Sequence, residues 1–173
     1  MELKINGNKI FAPLKNKELV LTPEERVRQE YICRLVNHYG YDLSQMEQEL
    51  QVNNSHRGQG KARADIVVWK SASAKSNEDA ATIVVECKAE HITIREEDYF
   101  QGYNYAAWAG ADFFVTTNLK ETRVFKVNKG KLPKRLEEIV DIPKADELTN
   151  AKKLKELLSQ TKAFTRDEFS KLL

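Results

Sequence analysis

The chain has 173 residues, 41% apolar and 31% charged, with a formal net charge of +2, enough for one compact domain with a short appendage. No run approaches the roughly 18 consecutive apolar residues of a membrane helix. The N-terminus alternates Lys, Asn and Gly with apolar residues and does not read as a secretory signal, so membrane and secreted classes are set aside.

In chain order, residues 1–21 alternate loosely around Asn6-Gly7-Asn8 and predict a small hairpin or extended arm. Thr22-Pro23-Glu24-Glu25 is a helix start: Thr22 caps, Pro23 fits the first helical position and Glu25 completes a capping box. Val27, Tyr31, Leu35 and Tyr39 recur every four residues, and Gly40 supplies the stop. Met46, Gln48, Leu50 and Val52 share one face of a strand, and Asn53 to Lys61 is a polar loop. Ala64–Trp69 and Thr82–Cys87 are β-branched strands expected to pair as a hairpin, with Ser71–Asp79 as a flexible connection. Glu96-Glu97-Asp98 opens a second helix, running to about Ala109. Phe113–Thr117 and Arg123–Val127 are strands around a turn at Asn118–Glu121. Past Pro133 the pattern turns to short Lys-rich helical pieces, with Pro143 as a boundary. The expected order is α-β-β-β-α-β-β with a helical tail.

Cys33 and Cys87, the only cysteines, sit in apolar runs and read as reduced and buried, which implies a cytoplasmic location. Charge is unevenly spread. Arg57 to Lys75 holds five bases and one acid, and Lys120 to Arg135 holds seven bases and one acid. Between them, Glu86 to Asp98 holds five acids and two bases. An acidic patch between basic segments suits metal ions beside a polyanion; ordinary solvated surface is the other reading.

Asp65 opens one strand of the expected hairpin, and Glu86 and Lys88 close the other. Strand alternation projects Glu86 and Lys88 together and Cys87 the opposite way. With antiparallel neighbours, Asp65 reaches the same spot. Two carboxylates make a hard oxygen site suited to Mg²⁺, which keeps several waters and accepts phosphate oxygens. The metal lowers the pKa of a bound water, and Lys88 orients that water or stabilises charge on phosphorus. Glu-x-Lys alone is uninformative, since Glu2-Leu3-Lys4 has the same form; a surface ion pair at a strand end is the competing reading. Gln101 and Tyr105, four apart, share a helix face with Trp108 next along the stripe. Gln101 is then either a satisfied core amide or a contact to the metal-bound water or phosphate, with Tyr105 packed behind.

These residues resemble the PD-(D/E)xK nuclease superfamily, and more narrowly the N-terminal nuclease domain of type I restriction enzyme R subunits. Four segments carry the likeness: Leu21 to Glu30, Arg63 to Val68, Val84 to Ala89, and Gln101 to Tyr105 as Gln-x-x-x-Tyr. It spans about residues 10–142, and Ala64 stands where the superfamily name places proline. The resemblance implies an α/β fold: a restriction-endonuclease-like core with a mixed central sheet flanked by helices, and a short helical C-terminal tail. It implies Asp65 and Glu86 as metal ligands for Mg²⁺, Lys88 as the catalytic lysine, Gln101 and Tyr105 as the accompanying pair, and Glu30 as a helical acid near the metal. The activity implied is a type I site-specific deoxyribonuclease hydrolysing phosphodiester bonds of double-stranded DNA, partnered by modification and specificity subunits. A stand-alone nuclease of repair or defence is one alternative; a catalytically silent DNA-binding or assembly module is another.

In such R subunits an ATP-driven translocase follows the nuclease. Here Gly58-Gln59-Gly60-Lys61 lacks the earlier glycine and is followed by alanine, so no ATP site is expected within the chain. Residues 1–142 are expected to be the nuclease domain. Residues 143–173 are expected to be a helical linker toward an absent motor domain, because Phe164 to Leu173 stops inside a helical pattern. Arg57, Lys61 and Arg63 are candidate contacts to DNA phosphates, with a solvated loop as the equal alternative. His38, His56 and His91 share no metal-ligand spacing.

Overall fold

A computed structural model describes residues 1–51, 63–130 and 136–160. The candidate DNA contacts Arg57 and Lys61, strand residue Val52 and the tail Phe164 to Leu173 lie outside these residues.

The expected N-terminal arm is a three-stranded antiparallel meander of β1 (Ile5–Asn6), β2 (Lys9–Ala12) and β3 (Lys17–Val20). It is anchored by Ile10 and Ala12, both fully buried. Helix α1 spans Pro23–Asn37; Thr22 caps it, its hydroxyl accepting from the Glu25 N–H at 3.1 Å.

The central sheet has six strands in sequence order. They are β4 (Met46–Gln51), β5 (Arg63–Val68), β6 (Ile83–Cys87), β7 (Phe113–Thr117), β8 (Thr122–Val127) and β9 (Leu136–Glu138). Among the described residues only β6 and β7 run parallel. That pairing needs a crossover, supplied by helix α3 (Glu96–Ala109). The chain is therefore α/β with a mixed sheet flanked by helices, as expected, and β5 and β6 form the expected hairpin with Ile66 opposite Val85.

Strand alternation divides the core. On one face Val27, Tyr31, Ile32 and Leu35 of α1 meet Ile66, Val68, Ile83, Val85 and Cys87. On the other, Tyr105 and Ala106 of α3 meet Val67, Val84 and Phe114. Gly102 lets α3 lie close to β7: a Cβ there would sit 1.8 Å from the Phe114 ring.

Three expectations need correction. Ser71–Asp79 contains a short helix, α2 (Ala72–Ser76), because the Ser71 hydroxyl caps the Ala74 N–H at 3.0 Å and Ala74 is buried. Past Pro133 the chain forms edge strand β9 before helix α4 (Ala151–Ser159), since pairing with β8 decides that short segment. Cys33 is only half-buried, whereas Cys87 is buried; both are free thiols. Among the described residues no helix is long and apolar enough to cross a membrane.

Candidate active site

Ile66 opposite Val85 is the first step of a register that, continued by one residue, sets Asp65 across from Glu86 at the open end of the β5–β6 hairpin. Asp65 is buried. Its Oδ2 accepts from the Cys87 backbone N–H at 2.7 Å, tying the two strand ends together. Its Oδ1 accepts from Arg28 of α1, from Nε at 3.1 Å and from the guanidinium end at 2.5 Å.

Arg28 is itself buried and central. It also pairs with Glu25, reaches Glu24 at 3.4 Å and lies 3.9 Å from Glu49. Burial works against its charge, but Asp65 and then Glu25 outweigh burial and hold its pKa above the usual value. Glu49 sits in β4 between the residues paired with Ala64 and Ile66, thus alongside Asp65, with a positive φ of 54°. A left-handed backbone at a non-glycine residue inside a strand stores strain, here beside the carboxylate cluster. The Glu49 carboxylate also binds Lys15.

Glu86 is buried, and among the described residues its Oε2 has no hydrogen-bond partner. Oε1 lies 3.4 Å from Gln101 Nε2 and 3.9 Å from Lys88 Nζ. Burial, then the Asp65 charge, push the Glu86 carboxyl up to about 8; Lys88 acts in the opposite direction. Thr116, the β7 register partner of Glu86, also has a buried hydroxyl with no partner among the described residues. Lys88 extends the β6–β7 pairing by one hydrogen bond, from its N–H to the Thr117 carbonyl at 2.9 Å. Its ammonium stands 3.4 Å from Asp98 in the first turn of α3. Burial opposes that charge, but Glu86 and Asp98 together raise the Lys88 pKa.

The structure thus gathers Asp65, Glu86, Lys88 and Gln101, and Tyr105 supports Gln101 through a 2.9 Å hydrogen bond accepted by its hydroxyl. Gln101 is exposed rather than a core amide, and Trp108, 41% exposed, departs from the buried Tyr105 face. Glu30 stands apart: it is 4.0 Å from Arg26, on a side of α1 away from Arg28, half in solvent. The helix acids at the cluster are Glu24 and Glu25, because Arg28 draws that face of α1 onto Asp65. Burial first, and Asp65 next, raise the Glu24 pKa. Arg63 is exposed at the start of β5.

Sequence reading did not single out Arg28, Glu24, Glu25 or Asp98 as site residues. The available signal was charge spacing: Glu24 and Glu25 lie four and three residues before Arg28, and Glu96 to Asp98 lie on the turn of α3 that faces Lys88.

The residues fit a hard divalent cation in kind. Glu86 offers a buried oxygen without a partner, Asp65 a second carboxylate, and Mg²⁺ is commonly held by one or two carboxylates and several waters. Among the described residues no group of three His, Cys, Asp or Glu is arranged to hold a metal. A separate cleft of about 880 Å³, lined by Trp69, Lys75 and Trp108 among others, shares no residue with this cluster.

A family model described as the type I restriction enzyme R protein N terminus matches residues 23–143, which include every residue of the cluster. No curated protein matches the sequence.

Proposed function

The chain belongs to the family of the type I restriction enzyme R protein N terminus, and on that premise we propose that it is a metal-dependent endonuclease domain hydrolysing phosphodiester bonds of double-stranded DNA. The observation that carries this reading is Glu86, a buried carboxylate beside both Asp65 and Lys88 with one oxygen unpartnered among the described residues. An orphaned buried acceptor is expensive unless something outside the protein binds it.

Asp65 and Glu86 would hold Mg²⁺, which when bound activates a water and polarises phosphorus. Lys88, kept charged by Glu86 and Asp98, places a cation where negative charge grows on a transferring phosphoryl group. Gln101 steadies the Glu86 carboxyl and is itself held by Tyr105. Arg63, exposed two residues before Asp65, is placed to meet backbone phosphates without reading sequence.

Residues 1–142 would form the cutting module and residues 143–173 a linker toward an ATP-driven motor. Modification and specificity subunits would supply recognition in a cytoplasmic complex, so the module alone cuts without sequence preference. The pairing of Asp65 with Arg28 favours a second reading, a silent module that keeps the fold with its first carboxylate neutralised.

Calorimetric titration of Mn²⁺ into wild type, Asp65→Ala and Glu86→Ala, with plasmid nicking by these and Lys88→Ala, separates the two. The nuclease reading expects both carboxylate variants to lose metal, and Lys88→Ala to keep metal but lose nicking. Wild type that takes up no divalent metal at millimolar concentration supports the silent module.

A further inference from the structure

Every oxygen that Asp65 offers is already engaged. Oδ2 takes the Cys87 N–H, and Oδ1 takes two donors of the Arg28 guanidinium. Glu86 Oε2, in contrast, has no partner among the described residues. The candidate ligand pair is thus half engaged by a positive side chain and half open. The Arg28 side chain is 7% exposed, so water screens its charge poorly, and a second cation on Oδ1 would meet it at close range in a low-dielectric setting.

Arg28 also has somewhere to go. Glu25 and Glu24 lie on its own helix, three and four residues back, and Glu49 lies 3.9 Å away on β4. A small rotation of the side chain would release Asp65 and keep the charge paired. Four carboxylates around one guanidinium are more acceptors than its charge needs. Such a surplus suits a cation that shifts between partners better than one fixed to a single partner.

We propose that Arg28 is the exchangeable counter-cation of the site: it neutralises Asp65 in the metal-free protein and moves onto Glu24, Glu25 and Glu49 when a divalent cation binds. The proposal rests on the metal-dependent reading above and adds that metal affinity is set by competition with this side chain. Arg28 is here a positioning residue, acting on the site through Asp65.

The test titrates Mn²⁺ alone into the full 173-residue chain as wild type, Arg28→Gln, Arg28→Lys and Asp65→Asn. Removing the competitor tightens Mn²⁺ binding by Arg28→Gln about tenfold or more, equivalent to about 1.4 kcal/mol. Arg28→Lys, which keeps charge but loses the fork, falls between it and wild type. The thermal shift produced by saturating Mn²⁺ is correspondingly larger in Arg28→Gln than in wild type.

A second readout follows the metal response in wild type itself. In ¹⁵N NMR of wild type, the Arg28 Nε–H resonance, identified by its loss in Arg28→Lys, moves when Mg²⁺ saturates the site. Equal or weaker Mn²⁺ binding by folded Arg28→Gln, or an Nε–H resonance unmoved at Mg²⁺ saturation, overturns the proposal. If wild type binds Mn²⁺, Asp65→Asn does not, and Arg28→Gln is unchanged, the metal site stands and the exchange falls. If neither wild type nor Arg28→Gln binds Mn²⁺, both fall together.

Discussion

Glu86 makes the metal-free protein sensitive to alkali in a way that one substitution isolates. In the folded protein its carboxyl is pushed from 4.5 up to about 8 by burial and by Asp65. Between those pH values the folded chain holds a proton that the unfolded chain has lost, so stability falls as pH rises. The shift corresponds to at most about 5 kcal/mol, fully expressed above pH 8 and absent below about pH 4. Glu86→Gln has no proton to lose, keeps the shape and can still accept from Gln101. Its stability relative to wild type should therefore be near level around pH 5 and grow by several kcal/mol toward pH 8.5. Urea unfolding of both proteins with a chelator present, at steps across that range, gives the difference directly. A flat difference would show that the buried carboxyl is not held protonated. A difference that reverses, with Glu86→Gln weakest at high pH, would show that the Lys88 charge dominates instead.

Asp65→Asn removes the main charge partner of a buried guanidinium and should cost about 3 kcal/mol in urea unfolding, the low end for broken buried pairs because Glu25 remains. No loss would mean that Glu25, Glu24 and Glu49 already satisfy Arg28. Gly102→Ala should destabilise by about 1–3 kcal/mol despite alanine's helix preference of about 1 kcal/mol, since its Cβ would collide with Phe114. A higher Tm would refute the close approach of α3 to β7. Arg123 makes two hydrogen bonds to Glu138, at 2.7 and 2.9 Å, and its guanidinium lies 5.4 Å from the centre of the Tyr99 ring. Arg123→Ala should speed amide exchange at Ile139, whose N–H donates to Val124, while global stability falls by about 1 kcal/mol; unchanged exchange would rule out this clamp on β9.

What was legible in the sequence followed from strong local chemistry. Thr22-Pro23 fixed the start of α1, and the nearly continuous β-branched run before Glu86 marked β6 as a strand buried on both faces. Alternation then separated Glu86 and Lys88 from Cys87, which packs on the α1 side. Strand β9 was not legible, because three residues with two glutamates carry no strand pattern until β8 offers its edge. Nor was α2, whose five residues depend on the Ser71 cap and on burial of Ala74. Arg28 reads locally as an ordinary helix-surface charge three and four residues from two glutamates. Only the approach of β5, distant in sequence, turns it into the partner of Asp65. The same limit explains Glu30: four-residue spacing locates the apolar face of α1 but not which flank of the helix turns toward the strand ends.

The charge around the site leads to one more expectation. Arg28 faces Glu24, Glu25, Glu49 and Asp65, while Lys88 faces Glu86 and Asp98, so carboxylates outnumber these two cations. Lys15 offsets part of the excess, at Glu49. In the metal-free chain one charge of the remaining excess is relieved at Glu86, which keeps its proton to about pH 8. A divalent cation at Asp65 and Glu86 would relieve the same excess, and it requires an ionised carboxylate. Proton and cation are therefore alternatives at Glu86, and under the proposed function metal uptake at neutral pH expels a proton. Calorimetric titration of Mn²⁺ in buffers of different ionisation enthalpy should report close to one proton released per ion at pH 6.5, falling toward none above pH 9. Release that does not change with pH would place the bound cation away from Glu86.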